Sequence, residues 1–215
     1  MTSKSLDTLK ITTIFLASGN EHKVEELSQF LAELHCTGSS ANVIGGMPSV
    51  VEDGETFEAN ARKKAHALHA LLTAPGYVLA DDSGLEVDAL DGRPGIFSAR
   101  YAGAEASDRQ NIEKLLEELK GVAIADRTAR FRCVLYLISP DGSERSFNGV
   151  CEGSIANQIE GNHGFGYDPV FIPFGHERTF GSLPESVKAD SSHRFDAVRK
   201  LRCELQALLS SSSDT

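Results

Sequence analysis

The chain has 215 residues, 40% of them apolar and 24% charged, with a formal net charge of -10. That balance describes a globular protein and not a disordered one. It excludes non-specific binding to DNA, RNA or an anionic membrane, whose charge would repel the chain at long range. A small anionic ligand stays open, because basic side chains can still gather in one place. Cys36, Cys133, Cys151 and Cys203 are scattered, with no CxxC pair, and read as reduced thiols of a cytoplasmic protein. No apolar run approaches the roughly 18 residues that cross a bilayer. The length suits one domain over residues 1–209, with 210–215 a frayed tail.

In chain order, residues 11–17 read as a buried strand and not a signal core, since Asp7 precedes them and two threonines interrupt the run. Val24, Leu27, Phe30, Leu31 and Leu34 then recur at helical spacing, predicting an amphipathic helix over 21–34. Val43-Ile44 suggests a second short strand. Thr56 is placed to cap a helix through Ala59, Lys63, Ala67 and Leu71. Residues 77–80 predict a short strand ending at Asp81-Asp82-Ser83-Gly84. A helix is expected over 107–120, closed by Gly121. Strands over 128–139 and 143–152 flank Pro140-Asp141-Gly142 as a hairpin. Residues 170–172 read as another strand and 192–209 as a final helix. Strand–helix–strand units followed by a long hairpin predict an α/β fold with a mixed sheet and flanking helices.

Four segments carry possible chemistry. Ser18-Gly19-Asn20-Glu21-His22-Lys23 is a strand-to-helix turn whose free N–H groups and lysine suit a phosphate; a capped helix start with an exposed lysine would look the same. Asp81-Asp82-Ser83-Gly84 suits a magnesium site, one carboxylate on the metal and one accepting a proton from water, or an Asx-type turn. Glu52, Asp53, Glu55 and Glu58 supply further acid upstream, which simple solvation also explains. The segment Gly161–Pro169 combines glycines with Phe165, Tyr167 and Asp168, and fits a planar base or a long hairpin loop. Lys188, His193 and Arg194 bring donors to the start of the last helix, against the preference for acids there. His66 and His69 share a helix face but lack a third ligand for a metal.

Six stretches, LASGNEHKVEEL, DGETFEANARKKA, LADDSGLEVDALDGRPGIFSARYAG, FRCVLYL, GFGYDPVF and KADSSHR, follow one another in this order over residues 11–205. In them the chain resembles the inosine triphosphate pyrophosphatases, which hydrolyse non-standard purine triphosphates. The resemblance implies two lobes around a central nucleotide-binding cleft, magnesium dependence and a homodimer. It implies ITP, dITP and XTP as substrates, cleaved to the monophosphate and pyrophosphate. Carried over by motif position, Ser18, Gly19, Asn20, Glu21, His22 and Lys23 hold the triphosphate, with Lys64 a second phosphate donor. Asp82 is general base and metal ligand, Glu52 the second metal ligand, and Ser83 a substrate contact. Phe165, Gly166, Tyr167 and Asp168 build the base pocket, completed by Lys188, His193 and Arg194. Two departures stand out: Ala59 replaces an acidic residue of the family's TFEENA, and 178–184 fits the family pattern loosely. A Maf-type pyrophosphatase and a nucleotide sensor without turnover are the rival readings.

Overall fold

The computed structural model describes residues 12–211. Strand β1 (Thr12–Ala17) buries Ile14 and Leu16. Its chain then turns through Ser18-Gly19-Asn20 into helix α1 (Glu21–Glu33), where the Asn20 side chain accepts from the Lys23 amide at 3.2 Å. That cap satisfies one of the orphan donors of the first turn. Helix α1 buries Leu27 and Leu31 and returns the chain to β2 (Cys36–Ser40), parallel to β1.

The strand expected at Val43-Ile44 is instead a 3-10 turn, Ala41–Ile44. The Ser40 hydroxyl accepts from the Asn42 amide and Gly45, at φ +103°, closes the turn. The real edge strand, Cys-Thr-Gly-Ser-Ser, is too polar to show in a hydrophobic pattern. Helix α2 (Phe57–His69) starts as expected, Thr56 Oγ1 accepting from the Ala59 amide at 3.1 Å, and stops two residues short of Leu71.

Strand β3 (Tyr77–Val87) corrects a second expectation: it does not end at Asp81 but runs through Asp81, Asp82 and Ser83 to Val87. Helix α3 (Asp108–Glu118) opens on a reciprocal Ser107–Gln110 cap. Strands β4 (Thr128–Ile138) and β5 (Glu144–Ile155) form the expected hairpin. Strand β6 (Phe171–Pro173) follows, shifted one residue from its expected place. Helix α4 (Glu185–Ser191) was not foreseen; it carries Lys188 separately from α5 (His193–Ser211). Ser210 and Ser211, expected to fray, belong to α5, while Ile11 and the rest of the expected tail lie outside the described residues.

The six strands form one mixed sheet in the order β2-β1-β3-β4-β5-β6, parallel across the first three and antiparallel thereafter. Successive side chains of a strand point to opposite faces. On β3, Leu79 therefore joins Leu27, Leu31 and Leu201 under α1 and α5, while Val78 and Ala80 join Ala61, Ala65 and Leu68 under α2. A third cluster, with Leu85, Val87, Phe131 and Phe171, fills the far end of the sheet against α3. Helix α5 lies so close to β5 that a Cβ on Gly149 would stand 2.0 Å from the His193 carbonyl oxygen. That contact fixes the start of α5, and with it His193 and Arg194, against the sheet.

Candidate active site

The pleat of β3 separates the two aspartates that the sequence presents as a pair. Asp81 faces α1 and α5: it accepts from Lys23 Nζ at 2.5 Å and from Arg194 Nε at 2.9 Å. Asp82 faces α2, where Lys64 Nζ lies 2.6 Å from its Oδ1 and 3.3 Å from Glu52 Oε2. The two carboxylates thus do different work, and one ion held jointly by both is not what this backbone arranges.

Their electrostatics differ accordingly. Burial alone would raise the Asp81 carboxyl, but Arg194 and Lys23 outweigh it and hold the group well below the usual carboxylate range. For Asp82 burial wins: its pKa stands above the ordinary value, countered only in part by Lys64 and Lys23. A carboxylate so raised has more affinity for a proton. Lys64 stays charged, since Asp82 and Glu52 outweigh the cost of its burial.

Across the Asp81 side of the sheet lies a cavity of about 110 Å³, lined among others by Lys23, Ser83, Phe165, Lys188, His193 and Arg194. The loop before β6 supplies its aromatic wall. Asp168 Oδ2 accepts from the Phe165 amide at 2.9 Å and from Lys188 Nζ at 2.7 Å. Gly164, at φ +73°, permits this curl; a Cβ there would meet Asp168 Oδ2 at 2.0 Å. Gly166 donates its amide to Asp108 of α3 at 2.7 Å, and Tyr167, also in the cavity wall, donates its hydroxyl to the Ser98 carbonyl at 2.8 Å. Burial raises the Asp168 carboxyl, with Lys188 offsetting part of the rise.

His193 is buried in the cavity wall and stacks on Phe131 at 4.8 Å between centroids. Burial first, then Arg194 and Lys188, push its pKa well below the ordinary histidine value, so the ring is neutral. Its Nδ1 is buried without a hydrogen-bond partner, a state that costs energy unless a ligand completes it.

The phosphate-loop candidates divide. Asn20 and Lys23 both line the cavity, while the side-chain oxygens of Ser18 and Asn20 also serve the turn, accepting from the Asn20 and Lys23 amides. Gly19 is open to solvent, Glu21 is exposed in the first turn of α1, and His22 stacks on Phe165 at 5.3 Å between centroids. Ser83 donates to Asp81 at 3.0 Å and accepts from Arg194 at 3.1 Å. Asp53, also weighed as a metal acid, pairs with Lys63.

Sequence reasoning missed Glu26. It sits one helical turn beyond Lys23, accepting from Lys188 Nζ at 2.9 Å and pairing with Arg194 Nη1. Burial tends to raise its carboxyl, but Arg194 and Lys188 bring it below the ordinary value. No spacing in the sequence joins it to these partners, which lie 162 and 168 residues away. Ser98 and Asp108 also line the cavity, and no spacing in the sequence ties them to it.

The α/β sheet thus carries a cavity lined by Lys23, Lys188 and Arg194 on one face and the Lys64–Asp82 pair on the other. The chain belongs to the Ham1 family, whose model matches residues 14–204. It is 48% identical to a dITP/XTP pyrophosphatase of Opitutus terrae, over 87% of this chain and 96% of that protein. Among solved structures it resembles the Ham1 protein of Staphylococcus aureus, at 39% identity and TM-score 0.80 over 91% of this chain and 99% of that one. A HAM1 protein from Coxiella burnetii matches at 37% identity and TM-score 0.81, over 92% and 100%. No described helix is long and apolar enough to cross a membrane.

Proposed function

We propose that the chain hydrolyses non-standard purine nucleoside triphosphates, ITP, dITP and XTP, to the monophosphate and pyrophosphate, water attacking the α-phosphorus in line. The observation that carries this reading is the raised, buried Asp82 beside Lys64, one strand position from the wall of a cavity lined by Phe165, Lys188 and His193. Kinship with proteins named dITP/XTP pyrophosphatases supports the substrate class.

Asp82 accepts the proton of the attacking water at its carboxylate, which its raised pKa favours. Lys64 and Lys23 bring positive charge to the triphosphate, and their charge opposes the build-up of negative charge on the leaving pyrophosphate. Glu52 and Asp82 converge on one ammonium, Lys64 Nζ. No group of three His, Cys, Asp or Glu side chains poised for a metal occurs among the described residues. Hard carboxylate oxygens in so small a number fit magnesium, which usually takes one or two carboxylates together with substrate phosphates. Bound there, the ion would neutralise phosphate charge.

Base choice rests on donors. Lys188 offers N–H to a six-keto oxygen, and adenine, with an amino group there, would face donor with donor. His193, stacked on Phe131, closes the cavity wall beside Lys188. The free thiols Cys36, Cys133, Cys151 and Cys203 fit a reducing cytoplasm, and the working form in this reading is a homodimer.

The test is a panel of ITP, dITP, XTP, GTP, ATP and dUTP with magnesium, measuring pyrophosphate and orthophosphate separately. Pyrophosphate mainly from the inosine and xanthine nucleotides is the expected result. Orthophosphate would mean terminal hydrolysis, and no turnover at all would favour a nucleotide sensor.

A further inference from the structure

The base platform has two sides, and they open on different spaces. Phe165 forms part of the wall of the inner cavity and also of an outer groove of about 630 Å³ between α1, α4 and the glycine-rich loop. Arg194, 5.9 Å from the ring centroid, lines only the inner side, whereas His22 lines only the outer groove. Lys188 Nζ stands 4.2 Å from the same centroid.

His22 and Lys23 are neighbours in the first turn of α1, where successive residues point about 100° apart. Lys23 turns to the inner cavity and Asp81. His22 turns away and lies almost parallel to Phe165, at 5.3 Å and 13° between planes. The bonds from Asp168 and Asp108 grip only the loop backbone, at the amides of Phe165 and Gly166. They leave the ring's own torsions free. Glycines at positive φ stand on both sides of it, Gly164 at +73° and Gly166 at +59°, so the loop does little to stiffen the side chain.

We infer that His22 is a positioning residue for the purine base: it backs Phe165 from the outer groove and holds the ring ready for stacking, and it does not touch the triphosphate. The inference rests on the proposed purine-triphosphate reading and moves one residue of the Ser18–Lys23 turn from phosphate binding to base selection. A ring ordered before binding spares the substrate the cost of ordering it, and a parallel aromatic contact contributes beyond its buried area. Because α1 carries both His22 and Lys23, the same helical turn sets the base platform and a phosphate-side cation.

The test compares wild type with His22→Ala and His22→Phe, using ITP as substrate and inorganic tripolyphosphate, which has no base, as inhibitor. For His22→Ala the KM is expected to rise about three- to tenfold, the range of a lost aromatic contact, with kcat changing less than about twofold. The tripolyphosphate inhibition constant should stay at the wild-type value, and His22→Phe should restore the KM. A tripolyphosphate constant that weakens in step with KM would make His22 a phosphate contact and overturn the inference, as would an unchanged KM. If wild type hydrolyses no triphosphate, the proposed function fails, and the stacking is judged by NMR alone. The imidazole protons of His22 should be shifted upfield by the Phe165 ring and return on Phe165→Leu; no shift would overturn the inference separately.

Discussion

Lys64 of α2 and Asp82 of β3 meet at 2.6 Å with side chains 10% and 9% exposed. Almost no water reaches either, so a charge introduced or removed here is felt strongly. Replacing Asp82 by Asn keeps the shape and removes the proton acceptor. Turnover is expected to fall ~100-fold or more while nucleotide affinity holds, as read from steady-state rates and a binding titration. Near-wild-type turnover would remove Asp82 from the base role.

Asp81 does structural work on the opposite face, joining Lys23 of α1 and Arg194 of α5 with side chains 0% and 1% exposed for the aspartate and the arginine. Removing one partner of a buried pair leaves the other uncompensated, a loss of about 3–5 kcal/mol. Asp81→Asn should therefore lower the urea midpoint sharply. A loss under about 1 kcal/mol, the scale of a surface pair, would contradict this reading.

His193 gives the fold a pH dependence of definite sign. Its folded pKa lies well below the ordinary value, because of burial and then of Arg194 and Lys188, whereas the unfolded chain takes up the proton near pH ~6.5. Below that value the unfolded state binds more protons, so stability is full above it and declines as the pH falls, by ~1.4 kcal/mol per pH unit from this group. His193→Phe, which keeps the stack on Phe131, should flatten the difference between urea curves at acid and neutral pH relative to wild type. An equal slope in both proteins would show that His193 titrates alike folded and unfolded.

Asp168 holds both the Phe165 amide and Lys188. Asp168→Ala frees the aromatic loop and leaves Lys188 with Glu26 as its remaining partner. The value of kcat/KM for ITP should fall ~10- to 100-fold, the scale of lost charge-assisted hydrogen bonds, and the preference for ITP over ATP should narrow. An unchanged preference would place base selection elsewhere.

The order of strands and helices was legible where apolar side chains repeat, as in α1 with Leu27 and Leu31 or the β4–β5 hairpin around Asp141-Gly142. Edge strand β2 was hidden because Thr37, Gly38, Ser39 and Ser40 carry no apolar pattern, and α4 because seven residues show too few turns of periodicity. Lys23, Lys64, Asp82, Phe165, Lys188, His193 and Arg194 were all named from their motifs. Their division between the two faces of the sheet was not, since it depends on β3 continuing past Asp82 and on the pleat that follows. Glu26 stayed hidden because its partners lie 162 and 168 residues away.

In the proposed reaction water, activated at Asp82, attacks the α-phosphorus. Hydrolysing ITP with magnesium in water enriched in the heavy oxygen isotope, then weighing both products by mass spectrometry, tests it most directly. The heavy oxygen is expected in the monophosphate and absent from pyrophosphate. Label in pyrophosphate would place the attack on the β-phosphorus and contradict the proposed chemistry.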